Sequence, residues 1–187
     1  MMTKIQLTRL KGDLQFLEEC IAGRPNSQKL LYDYFAPKMF GICLRYASDY
    51  HQAADILQEG FIKVFNNLHR FRREGSFEGW MKRIFINTSI EYYRKASNQH
   101  TLPLADESLS VKYNGKAISN LRHQDLLKVV QSLPPGYRTV FNLYVVEGYS
   151  HKEIGKMLDI NEGTSKSQLA RARNLLRILL EQQENEH

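Results

Sequence analysis

The stretch from Gly148 to Arg173 limits the fold more tightly than any other, because it demands two short helices with a sharp turn between them. Ser150 and Glu153 stand at the spacing of a capping box, in which each side chain satisfies an otherwise unpaired backbone N–H. Ile154, Met157 and Leu158 then recur at helical steps. Asp159-Ile160-Asn161 is turn chemistry, and Asn161 suits the N-cap of a following helix. That helix carries Lys166, Arg171, Arg173 and Arg177, with no acidic residue between Gly163 and Leu180. A capped helix, a tight turn and a basic second helix describe a helix-turn-helix, whose second helix enters the DNA major groove. The plain alternative is a helical hairpin with a solvated basic face.

The rest of the chain follows the same helical period. Residues 13–98 show apolar positions at three- and four-residue steps and no alternating strand pattern. The spacing predicts helices over 13–22, 27–35, 37–47, 51–68 and 77–97, with Pro37 in a first turn and Ser76 as a cap. Residues 98–119 lose the period and contain Pro103 and Gly115; so long an irregular stretch reads as a linker. Helices resume over 120–132, 135–147, 150–158 and 162–181. The expected fold is all-α: an N-terminal helical bundle over 1–97, a flexible linker over 98–119 and a C-terminal helix-turn-helix domain over 120–187.

Composition narrows the function. Hydrophobic residues make up 42% of the 187, which argues against a disordered chain. The formal charge of +6 sits mostly in the first 97 residues, so a second polyanion-facing surface is expected outside the helix-turn-helix. Cys20 and Cys43 lie in apolar helical patterns without metal-spaced partners, and read as reduced core residues of a cytoplasmic protein. No apolar run is long enough to cross a bilayer, and the N-terminus lacks a signal-peptide pattern. The histidines form no metal-spaced pair, and there is neither a nucleophile motif nor a phosphate-binding Gly-rich loop. Neither an enzyme nor a bound cofactor or metal is expected.

Two further surfaces emerge when the N-terminal helices are wound at 100° per residue. In 54–68, Leu57, Phe61, Val64 and Leu68 form a core stripe with Phe65 at its edge. Opposite it lie Asp55, Gln58, Glu59 and Ile62, which puts an isoleucine amid polar and acidic neighbours and suits a protein–protein contact. In 77–97, Phe77, Trp80, Met81, Ile84 and Thr88 share one face, with Trp80 read as core. Arg83, Asn87, Ile90 and Arg94 share the other. Arg70, Arg72 and Arg73 flank the Gly75-Ser76 loop. A basic face beside a loop with aromatics suits single-stranded nucleic acid, whose bases stack at about 1–3 kcal/mol each; the plain alternative is a solvated basic helix.

Taken together, these segments resemble the extracytoplasmic-function sigma factors of bacterial RNA polymerase, in the right order over about residues 13–180. The segment Asp55-Ile-Leu-Gln-Glu-Gly-Phe-Ile-Lys-Val-Phe65 resembles the family helix that docks on the polymerase clamp. The run from Phe71 through Gly79-Trp80-Met81 to Asn87-Thr88 is similar to its promoter-melting and −10 segment. Leu133-Pro-Pro-Gly-Tyr-Arg-Thr-Val-Phe141, Glu147-Gly-Tyr-Ser150 and Glu162-Gly-Thr-Ser-Lys-Ser-Gln-Leu169 are similar to its −35-reading domain. The resemblance implies a sigma factor that binds core polymerase at its clamp and flap, directs it to promoters and helps melt the −10 region. It implies polymerase contacts at Asp55, Gln58, Glu59 and Ile62. It implies −10 contacts at Arg72, Arg73, Ser76, Arg83, Asn87 and Arg94, and −35 contacts at Thr164, Lys166, Ser167, Gln168 and Arg171. DNA would be single-stranded at −10 and double-stranded at −35, and an anti-sigma factor is the implied regulator. Two departures stand out: Arg73 replaces a glycine found in many relatives, and Ser165 replaces an apolar residue, either loosening the packing or freeing a hydroxyl for DNA. The rival reading is a stand-alone helix-turn-helix regulator, which leaves the Asp55–Phe65 surface without a purpose.

Overall fold

A computed structural model describes residues 14–99 and 123–185. Those residues are helical and include no strand. The elements are α1 (Leu14–Ile21), α2 (Pro25–Tyr46), α3 (Tyr50–Asn67) with a 3₁₀ turn at Leu68–Arg70, and α4 (Phe77–Gln99). They continue as α5 (His123–Gln131), α6 (Pro135–Phe141) with a π-turn at Asn142–Val146, α7 (His151–Leu158) and α8 (Glu162–Asn185). Most of the expected linker, and the expected helix start at residues 120–122, lie outside the described residues.

The described residues divide into two compact units, one running up to Cys43 together with His51–Ser89, the other made of Leu44–Tyr50 with the residues from Ile90 onward. In the first, α2 contributes Leu31, Phe35, Met39 and Ile42 to the core, at the steps a helix requires. Two helices were expected here, divided at Pro37. One continuous helix forms instead, with Pro37 inside it and exposed. Proline removes one backbone hydrogen bond, but the buried stripe runs past it unbroken, and packing outweighs the local defect. From α3 come Ile56, Leu57, Phe61 and Val64, and from the following turn Leu68. The α4 residues Phe77, Met81, Phe85 and Ile86 close the core. Gly60 sits where any Cβ would overlap the Phe85 ring, so this mid-helix glycine lets the ring lie directly on the α3 backbone. Cys20 and Cys43 are both buried, as their apolar setting predicts.

The second unit is built on Val129, Leu133, Val140, Leu143, Ile154, Leu158, Leu169, Ala172 and Leu179. The helix expected over 135–147 changes period at Asn142 and ends in a π-turn. Asn142 is buried there and donates to the Arg138 carbonyl at 2.9 Å.

Candidate nucleic-acid interface

The outer face of α3 presents the residues that the helical period places there. Asp55 and Gln58 are exposed, and Ile62 is 60% exposed while Phe61 beside it is buried. Glu59 is half-buried and paired with Lys63 at 3.1 Å, a bond within the same helix that holds its carboxylate along the surface. An apolar side chain thus stands clear of the core, with carboxylates at defined positions around it.

A second feature forms where α4 begins. Ser76 caps the helix: its Oγ accepts from Gly79 N–H at 3.0 Å, and its carbonyl accepts from Trp80 N–H at 3.0 Å. The loop before it turns through two left-handed residues, Gly75 (φ 126) and Arg73 (φ 62). Trp80 is only half-buried, contrary to its reading as core. It stacks on Phe77 at 5.6 Å and 24°, and meets Phe71 at 5.5 Å. Its remaining surface helps line a cleft of about 440 Å³ with Arg70, Arg72, Gly75, Ser76 and Arg83. Such a cleft offers an aromatic wall and guanidinium donors, which match the flat face and polar edge of an unpaired base. Glu74 also borders it, as a hydrogen-bond acceptor. Beyond the cleft, α4 exposes Asn87 and Arg94 on the same side as Arg83. Ile90, assigned to that face from the helical wheel, is buried at 5% exposure. The helix is covered on more than one side there, so a single apolar stripe does not describe it.

The helix-turn-helix forms as its local chemistry dictates. Ser150 Oγ accepts from Glu153 N–H at 3.3 Å, and Glu153 Oε2 accepts from Ser150 N–H at 2.8 Å. The Ser150 hydroxyl, which donates to Glu153 Oε2 at 2.7 Å, and after it the Ser150 N–H hold the Glu153 carboxyl below the usual carboxylate range. Asp159 takes the left-handed conformation at the turn, with φ 57. A Cβ on Gly155 would stand 2.8 Å from the Ile160 carbonyl oxygen, so glycine allows the turn to fold back against α7. Asn161 Oδ1 accepts from Thr164 N–H at 2.6 Å and caps α8.

Along α8, Lys166, Ser167 and Arg171 are exposed. Lys166 pairs with Glu162 at 2.7 Å, which lowers the Glu162 carboxyl from its ordinary value. Ser167 donates to the Thr164 carbonyl at 3.0 Å, and Arg171 reaches the Tyr137 hydroxyl at 3.4 Å. Thr164 is half-buried. Gln168 is half-buried too, lies against Gly136 and has its Oε1 enclosed, so it offers less to a groove than its neighbours do. Ser165 is fully buried, and its Oγ lies 2.9 Å from His151 Nδ1. The hydroxyl is therefore engaged inside the domain and not free for DNA. Sequence reasoning missed Val145 and Val146, 49% and 44% exposed, because the π-turn that presents them breaks the helical period.

Among the described residues no helix is long and apolar enough to cross a membrane, and no three or more His, Cys, Asp or Glu side chains cluster so as to hold a metal ion.

Comparison with known proteins accounts for both units. Sigma-70 region 2 matches residues 31–99, and Sigma-70 region 4 matches residues 123–176. The ECF RNA polymerase sigma factor SigW of Bacillus subtilis is 31% identical over 163 residues, covering 79% of this chain and 85% of that protein. The ECF RNA polymerase sigma factor SigE of Mycolicibacterium smegmatis is 29% identical over 170 residues, covering 88% of this chain; the chain spans 65% of that protein's length. Among solved structures, the sigma factor RpoE from Bartonella quintana, crystallised with the anti-sigma factor NepR, shares the fold. Its TM-score is 0.50 at 23% identity, over 82% of this chain and 96% of that one. With both family regions present in order and these relatives aligned along most of its length, the chain belongs to the extracytoplasmic-function sigma factors, which direct bacterial RNA polymerase to promoters.

Proposed function

We propose that this sigma factor docks on core RNA polymerase through the outer face of α3, captures unpaired −10 bases at the start of α4 and reads the −35 duplex with α8. The observation that carries the reading is Ile62, 60% exposed between exposed polar groups on a helix whose opposite side closes the core. Asp55, Gln58 and Glu59 surround it and set the register of docking, with the clamp as the partner surface and the flap as a second polymerase contact. A buried apolar anchor ringed by polar groups is how small interfaces concentrate their energy.

The −10 step follows from the cleft. Extruding a base costs a few kcal/mol, and no nucleotide-binding loop supplies that energy. Stacking on an aromatic wall returns about 1–3 kcal/mol per base. Trp80 provides the wall, while Arg72, Arg83 and Asn87 hold the strand. Arg73 and Arg94 extend the basic track, and Ser76 fixes the rim by capping α4. Melting is then driven by capture of the opened strand. On α8, Lys166, Ser167 and Arg171 form the groove-facing set; Thr164 and Gln168 flank it as packing-limited contacts.

RNA synthesis belongs to the polymerase in this scheme, and the chain works beside it in the cytoplasm without a cofactor. The NepR complex of the Bartonella quintana protein supports an anti-sigma factor as a partner here too. Purified core polymerase with this chain, given promoter DNA selected from a random library, should initiate at defined 5′ ends. A stand-alone regulator would only modulate initiation that another sigma factor confers, and dependence on a second sigma factor would overturn the proposal.

A further inference from the structure

The geometry points to Ser165 and His151 as a positioning pair that sets the roll of α8 against α7, and through it the −35 preference. This rests on the reading of α8 as the −35 helix. Ser165 lies on the stripe that continues through Leu169 and Ala172, all three buried, so a hydroxyl interrupts an otherwise apolar contact. A buried hydroxyl is costly unless bonded, and the His151 Nδ1 at 2.9 Å supplies the bond.

His151 is the first residue of α7 and is itself held in place. Its ring stacks on Tyr144 at 4.4 Å and 21°, and the Arg173 guanidinium lies over the Tyr144 ring at 5.9 Å. Two points on α8, Ser165 and Arg173, therefore connect to one aromatic pair that belongs to the preceding elements. Apolar packing alone tolerates small rotations, whereas a hydrogen bond weakens steeply once distance and angle are lost. The directional bond thus selects one roll of the helix. A roll of about 20° moves a side chain about 6 Å from the helix axis by about 2 Å, enough to break a base contact from Lys166 or Arg171. Neither Ser165 nor His151 needs to touch DNA for this to matter.

The test uses the full chain assembled with core polymerase and a promoter library randomised at −35, with retained sequences counted. The wild type should retain a defined −35 preference. Ser165→Ala and His151→Phe should each flatten it, lowering enrichment of the best over the average sequence about tenfold, while the −10 preference persists. Because each substitution removes the same bond, the double variant should be no worse than either single one. An unchanged −35 profile in Ser165→Ala, or losses that multiply in the double variant, would overturn the pairing. So would a fall in total retention with the profile intact, since that marks a structural role alone. A wild type with no −35 preference would remove the −35 reading and the positioning claim together.

The bond has its own readout, independent of DNA and of any variant's folding. In the wild-type chain, ¹⁵N NMR should place His151 Nδ1 away from a free imidazole at the same pH. A free-imidazole shift would exclude the bond even if −35 selectivity were present.

Discussion

Arg73 is the residue at which local strain meets a proposed −10 contact. Its φ of 62 is left-handed, a region that costs an L-residue about 1–2 kcal/mol. Glycine would relieve that strain but would give back about 0.4–1 kcal/mol through a freer unfolded chain. Arg73→Gly should therefore stabilise the protein by between about 0 and 1.6 kcal/mol in urea unfolding, while weakening single-stranded −10 DNA retention by the holoenzyme. Loss of stability would contradict the strained assignment. Gly155 presents the opposite case. Its Cβ would meet the Ile160 carbonyl at 2.8 Å, and a backbone atom cannot swing aside as a side chain can. Overpacking of this kind costs about 1–3 kcal/mol, so Gly155→Ala should lower the melting temperature; an unchanged melt would show that the turn can relax. At Cys20, burial first and Glu19 second push the thiol up to about 11. A thiol reagent at pH 8 should leave Cys20 unmodified in the folded chain and label it in denaturant.

At the scale of elements, α7 and α8 were legible in the sequence because their determinants are local. Ser150, Glu153 and Asn161 each act within three residues, and the bonds they were expected to make are present. The exposed Ile62 followed from the helical period alone. Features set by distant neighbours were not legible. Pro37 suggested a break that the stripe from Leu31 to Ile42 overrides. Trp80 looked like core because its half-open setting depends on how the loop before α4 folds. The fit of Gly60 against Phe85 joins residues far apart in the chain, as does the bond from Ser165 to His151. Neither has a sequence signature beyond an oddly placed small residue. The capping box yields a pH prediction. Glu153 has a lowered folded value, so its contribution is present above the ordinary carboxylate range and is lost as pH falls through that lowered value. Ser150→Ala should cost about 1 kcal/mol at pH 7. The gap between wild-type and variant melting temperatures should narrow on acidification to pH 3; a constant gap would remove Glu153 from the box.

For the whole molecule, the proposed roles mean that neither surface would suffice alone. A single helix-turn-helix reads a short stretch of duplex, and a cleft for unpaired bases acts only after the duplex opens. Both tasks gain from being tethered to one polymerase, where a second contact forms at high effective concentration. That places the central weight on α3, whose outer face would hold the chain on the enzyme. Equilibrium titration of fluorescently labelled chain with purified core polymerase tests it most directly, comparing wild type with Asp55→Ala/Gln58→Ala and with Ile62→Ala. All three positions are exposed, so the variants should melt as the wild type does. Both variants should bind at least tenfold more weakly, a loss of about 1.4 kcal/mol; wild-type affinity in both would contradict docking through α3.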